Sequence, residues 1–114
     1  MNLRVVKFVE LLAILARLCG GRVTSHLRTA AQNDAVGGSP VSKHLTGEAL
    51  DLGEDSSSAS LELLGHFGTI KRHVKGTAPH WHWELSSELK AILEALDVAT
   101  EFAVGKALGP GDYT

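Results

Sequence analysis

The chain has a single cysteine, three prolines and few aromatic side chains, 5% of its 114 residues. One cysteine leaves no partner for an internal disulfide, so the fold must stand without covalent staples, as suits a reducing compartment. Cys19 lies in an apolar run and is expected to be a small buried hydrophobe at a helix end. No block of like charge occurs: 11 basic and 13 acidic residues are mixed along the chain, giving a net charge of −2. With neither a basic stripe nor an interleaved aromatic platform, nucleic acid is not an expected partner. Long apolar runs are also missing, and nothing approaches the roughly 20 residues of a membrane span. The stretch after Arg4 and Lys7 is interrupted by Glu10 and Arg17, and Leu18 is too bulky for a lipoprotein cleavage site before Cys19. The expectation is a protein made in the cytoplasm without a signal peptide, with no membrane partner.

What is present fits one modest core. A hydrophobic share of 44% is ordinary for a globular chain, and the length suits one domain over residues 1–108 with a short tail at 109–114. Lys7, Glu10 and Arg17 share one helical face while leucines and valines fill the rest, so residues 3–18 read as a helix closed by Gly20-Gly21. Arg22–Ser25 reads as a short strand, and Thr29–Ser42 as a polar loop punctuated by Gly37-Gly38-Ser39-Pro40. Ala49–Leu52 alternates as a second strand. The Asp55–Ser58 cluster then caps a helix running to about His66. Residues 69–75 and 80–85 suggest a hairpin around Gly76–Pro79. Leu89, Ile92, Leu93 and Leu96 mark a helix after Ser86-Ser87, with a weaker one over about 98–107. This order predicts an α+β fold, a small, mostly antiparallel sheet flanked by helices, and a monomer.

Two segments suggest chemistry. SKHLTGEALD at 42–51 and PHWHWE at 79–84 supply His44, Asp51 and His82, two imidazoles and a carboxylate able to hold zinc with one position open. Gly47 permits a tight turn between His44 and the strand bearing Asp51. Ala49 shares the strand face of Asp51, where a small side chain leaves room for metal and substrate. His80, His82 and Glu84 take one face of their strand, and Trp81, Trp83 and Leu85 the other. The tryptophans are therefore assigned to core packing. Glu48, alternating with Ala49, is expected to point away from the metal. His66 and His73 belong to no motif and read as surface or satisfied polar residues.

SKHLTGEALD resembles the S-x-H-x-x-G-x-A-x-D pattern of the zinc D-alanyl-D-alanine carboxypeptidases and related peptidoglycan endopeptidases, a family that includes phage endolysins. The likeness extends upstream through VTSHLRTAAQNDAVGGSPVSKH and downstream to the H-x-H of His80 and His82, about residues 3 to 85. The resemblance implies the D-Ala-D-Ala carboxypeptidase-like (Hedgehog/DD-peptidase) fold. It also implies zinc on His44, Asp51 and His82, hydrolysis of peptidoglycan stem peptides, and action at the bacterial cell wall. Arg28 would bind the substrate's carboxylate or the carbonyl oxygen that becomes anionic, and Ser42 would hydrogen-bond to substrate or support the site. His80 would assist proton transfer or stabilise the transition state.

The chain departs from other branches at Pro79, where they place an acidic general base three residues before the last ligand. His80 is then the first choice for the base and Glu84 the second. His26 stands where relatives often carry an aromatic residue. The alternative is a non-catalytic zinc-binding structural or cell-wall-binding module of the same fold, which the missing acid favours and the retained ligands oppose. A carboxypeptidase and an L-Ala-D-Glu-type endopeptidase both fit the enzyme reading.

Overall fold

The structure is a computed structural model that describes residues 1–108; the expected tail at 109–114 lies outside the described residues. Helix α1 spans Leu3–Leu18. It starts where the Asn2 side chain accepts from the Val5 amide at 3.0 Å, and ends at the Gly20-Gly21 turn, Gly20 having a positive φ of 97°. Strand β1 is Val23–Ser25, α2 is Ala30–Ala35, and a 3-10 turn covers Lys43–Thr46. Then follow β2 (Ala49–Gly53), α3 (Ser58–Gly65), β3 (Gly68–His73), β4 (His80–Leu85) and α4 (Ser87–Leu108). The strands form one sheet in the order β1-β2-β4-β3, every neighbouring pair antiparallel. The α+β expectation holds.

Period-two alternation divides the sheet's faces. Leu50 and Leu52 of β2 and Trp83 and Leu85 of β4 point to one side, where they pack with Val5, Val9, Leu12, Ala13 and Ala16 of α1, Leu64 of α3 and Leu93 of α4. Trp83 is fully buried and donates its indole N–H to the Leu64 carbonyl at 2.7 Å, so its one polar atom is satisfied. A Cβ on Gly68 would collide with the Glu84 carbonyl and the Trp83 ring; glycine lets β3 close onto β4 beside the largest core side chain. Burying a leucine or valine side chain contributes about 1.5–3 kcal/mol, and this one cluster fixes the plane of the sheet.

Three expectations are corrected. Thr29–Ser42 contains helix α2, nucleated by a capping box in which Thr29 Oγ1 accepts from the Gln32 amide and the Gln32 side chain accepts from the Thr29 amide. The helices expected at 89–96 and 98–107 are one continuous helix, because no glycine or proline breaks the sequence between them. Cys19 is exposed; it sits one residue beyond α1, where its amide bonds back to the last helical turn and its side chain stands outside the apolar stripe.

Candidate metal centre

The face of the sheet opposite the core carries the chemistry. The β2–β4 register places Ala49 against Glu84, Asp51 against His82 and Gly53 against His80. In β3, Thr69, Lys71 and His73 face Glu84, His82 and His80. Small residues at 49 and 53 leave space between the larger side chains. That space is part of a cleft of about 970 Å³ lined by Arg28, Ser42, His44, Asp51, His80 and His82, with Arg22, Lys43 and Lys75 also contributing.

His44 arrives from the 3-10 turn. Ser42 Oγ accepts from the His44 amide at 3.2 Å, capping that turn, and Gly47 ends it in the left-handed conformation at φ 70°. A side chain at Gly47 would be strained there and would meet Val6. The chain thus reverses within a few residues and returns along β2 to Asp51.

Asp51 Oδ1 lies 3.1 Å from His44 Nε2 and 3.0 Å from His82 Nδ1. Tetrahedral zinc with bonds of 2.0–2.1 Å spaces its ligand atoms about 3.3 Å apart, close to these separations. One ligand atom from each of His44, Asp51 and His82 lies within 4.8 Å of the others. His44 is buried, and its Nδ1 donates to the His26 carbonyl at 2.6 Å. That bond turns Nε2 toward Asp51 Oδ1, and Nε2 is a buried nitrogen with no well-formed hydrogen bond of its own. A buried ring nitrogen facing a buried carboxylate needs a cation between them, a proton or a metal ion. The donor set therefore fits a divalent metal, and its nitrogen and carboxylate character fits zinc.

The electrostatics agree with a charged centre. Burial pushes the Asp51 carboxyl up, but the adjacent His44 and His82 imidazoles more than reverse this and hold it well below the usual carboxylate range. Hydrogen bonding to Asp51 raises His82 above the ordinary imidazole value; burial opposes the shift and Glu84 reinforces it. His73 is shifted down, by burial first and then by the neighbouring His82 and His80.

The remaining site residues surround this group. Arg28 donates from Nη2 to Asp51 Oδ2 at 2.7 Å and from Nε to Ser25 Oγ at 3.2 Å, so it holds a ligand while facing the cleft. His80 Nε2 stands 3.6 Å from Asp51 Oδ1, and its Nδ1 is 2.9 Å from the Ala78 carbonyl. Glu84 Oε1 accepts from His82 Nε2 at 3.0 Å, so it reaches the far edge of a ligand. Glu48 points away from the His44, Asp51 and His82 group as expected, and there its buried carboxylate pairs with the half-exposed Lys90 at 2.7 Å. His73 is exposed, as expected for a surface residue, and it also stacks on His82, with ring centroids 4.8 Å apart and planes at 8°. Its position on the same strand face as the ligands was the available signal.

Two imidazoles and a carboxylate thus converge on the open side of an α+β sheet as a group that could hold a metal ion. A family model described as Peptidase M15 matches residues 11–83, and the chain belongs to that family, the zinc D-Ala-D-Ala carboxypeptidases. Searches among curated proteins and among solved structures return no match. Family membership supports a metallopeptidase acting on peptidoglycan peptides. No helix among the described residues is long and apolar enough to cross a membrane.

Proposed function

We propose that this protein is a zinc peptidase that hydrolyses peptide bonds in bacterial peptidoglycan stem peptides. The observation that carries the reading is the convergence of His44, Asp51 and His82 beside His80 and Arg28 in one open cleft. Zinc bound there would supply a polarised substrate carbonyl and a water acidified from a pKa of about 15.7 to near 7.

The protein's own groups divide the other tasks. Because the His80 Nδ1–H donates to Ala78, a neutral His80 presents an unprotonated Nε2 toward the ligands. It is placed to take a proton from the nucleophilic water and pass it to the leaving amine. Glu84 is engaged with His82, and a carboxylate on the outer nitrogen of a ligand imidazole orients that ring and raises its basicity. This arrangement favours His80 over Glu84 as the base. Arg28 uses Nε and Nη2 on Ser25 and Asp51, and its planar fork keeps further donors for a substrate carboxylate or developing oxyanion. Ser42 supports the site by capping the turn that carries His44. Lys43 and Lys75 in the cleft lining complement the carboxylates of a stem peptide.

The test is digestion of purified peptidoglycan with and without chelator, followed by mass analysis of the fragments. Zinc-dependent loss of a terminal alanine identifies a carboxypeptidase, and release of free stem peptide identifies an endopeptidase. Absence of any zinc-dependent product would sink the enzyme reading and leave a zinc-binding module, the role that Pro79 in place of an acid favours.

A further inference from the structure

We propose that His73 is a positioning residue for the metal ligand His82, setting the plane of its ring by stacking. The two rings lie 4.8 Å apart at 8°, while His73 meets His80 edge-on at 5.4 Å and 76°. The register explains how one side chain reaches both. His73 pairs directly with His80, and His82 is its diagonal neighbour across the β3–β4 ladder, within reach of an aromatic side chain.

The polar contacts of His82 leave this task open. Asp51 holds Nδ1 and Glu84 holds Nε2, each at 3.0 Å. Both act at the ring's edge, along the line joining its two nitrogens. The ring tilts by rotation about its Cβ–Cγ bond, and once Nδ1 is given to a metal the Glu84 contact at Nε2 is the one hydrogen bond of these two left to oppose that tilt. A metal–imidazole bond lies in the ring plane, so this tilt decides whether the nitrogen's lone pair meets the ion. A ring laid flat on His82 opposes that rotation, and His73 does so before any metal is bound. Pre-set ligand geometry lowers the ordering cost of binding. The stack requires an aromatic face at position 73 but not an imidazole nitrogen.

This inference rests on the zinc reading of the His44, Asp51 and His82 site. Its test compares full-length wild type, His73→Ala and His73→Phe by zinc competition against a chromophoric chelator and by the visible spectrum of the cobalt-substituted proteins. His73 is exposed on its open side, so neither substitution empties the core. We expect His73→Ala to weaken zinc binding about three- to tenfold, the range that aromatic pair energies imply, and to alter the cobalt spectrum. His73→Phe should return the dissociation constant to within about twofold of wild type and restore the spectrum. An unchanged dissociation constant in His73→Ala overturns the proposal, as does a His73→Phe protein as weak as His73→Ala. If wild type itself binds no zinc, the metal reading falls, and this inference with it.

Discussion

At the scale of single residues, two histidines and two carboxylates of one strand pair hold different offices because their partners differ. His80 keeps Nε2 toward the ligands through its contact with Ala78, whereas Glu84 is committed to His82. We therefore expect His80→Ala to lower kcat at least about 100-fold, the lower bound for positioned acid–base groups, with zinc stoichiometry unchanged. Glu84→Gln should mainly weaken zinc retention, by about tenfold. Steady-state kinetics with metal analysis on each variant separates the two, and a metal-replete Glu84→Gln protein with crippled turnover would reverse the assignment. The same residues set a pH dependence in the metal-free protein. Asp51 titrates lower when folded, so its contribution is present above the ordinary carboxylate pKa of about 3.9 and is lost on acidification. His82 titrates higher when folded, so its contribution is full below about 6.5 and is lost as pH rises through the raised value. The pair is thus most stabilising between about pH 4 and 6.5. Thermal melts of metal-free protein should show stability falling above that window, and the fall should flatten in His82→Gln. An equally steep fall in that variant would remove His82 as its cause.

At the scale of elements, α4 is fastened to the 3-10 turn that carries His44 as well as to the core. Glu48, the residue before β2, is buried and bonds Lys90 of α4 at 2.7 Å, with Thr46 Oγ1 also at 2.7 Å and Lys43 at 3.6 Å. Burial pushes the Glu48 carboxyl up, but these partners, Lys90 foremost, bring it below its ordinary value. Removing Lys90 leaves a buried carboxylate under-paired, so Lys90→Ala should cost about 1–3 kcal/mol in urea unfolding. Glu48→Gln added to it should recover part of that loss. Asp97 joins α4 to Arg4 of α1 in a half-exposed pair, and Asp97→Asn should leave stability nearly unchanged because solvent screens such pairs. A Lys90→Ala effect no larger than that of Asp97→Asn would mean the Glu48–Lys90 pair does not fasten the helix. The elements also show what the sequence could tell. Helix α1 was legible residue for residue because its apolar stripe and the double glycine coincide with its ends. Helix α2 was not, since AAQNDA has no stripe and depends on the Thr29/Gln32 box. The grouping of His44, Asp51 and His82 was legible because two short motifs carry them. The exposure of His73 was legible, but its ring partners were not, because they depend on where the hairpin closes. Strand β3 ends at His73 rather than residue 75, which moves the pairing by two and sets His73 opposite His80.

At the scale of the whole molecule, a metal on His44, Asp51 and His82 would join the 3-10 turn to the central strands β2 and β4 on the sheet face opposite the core. The core packs one face of the sheet against α1, α3 and α4, while His44, Asp51 and His82 come from the 3-10 turn, β2 and β4 on the other face. The turn is held to the sheet by short-range contacts, chiefly the Arg28 amide to His44 carbonyl bond at 3.0 Å and the Glu48 amide to Lys43 carbonyl bond at 2.9 Å. A metal bound to all three residues would act as a cross-link on the side the core cannot reach. Because the unfolded chain does not assemble the site, binding free energy becomes folding free energy. At free zinc one hundred times the dissociation constant the gain is about 2.7 kcal/mol. For a domain near this size each kcal/mol moves Tm by about 4–8 °C, so saturating zinc should raise Tm by about 10–20 °C. Scanning calorimetry with and without chelator measures this directly. Hydrogen exchange should localise the gain to residues 43–51 and 80–84 and leave α1 little changed. A zinc-induced rise that is absent, or that persists undiminished in Asp51→Ala, would mean the ion does not bridge the turn to the sheet.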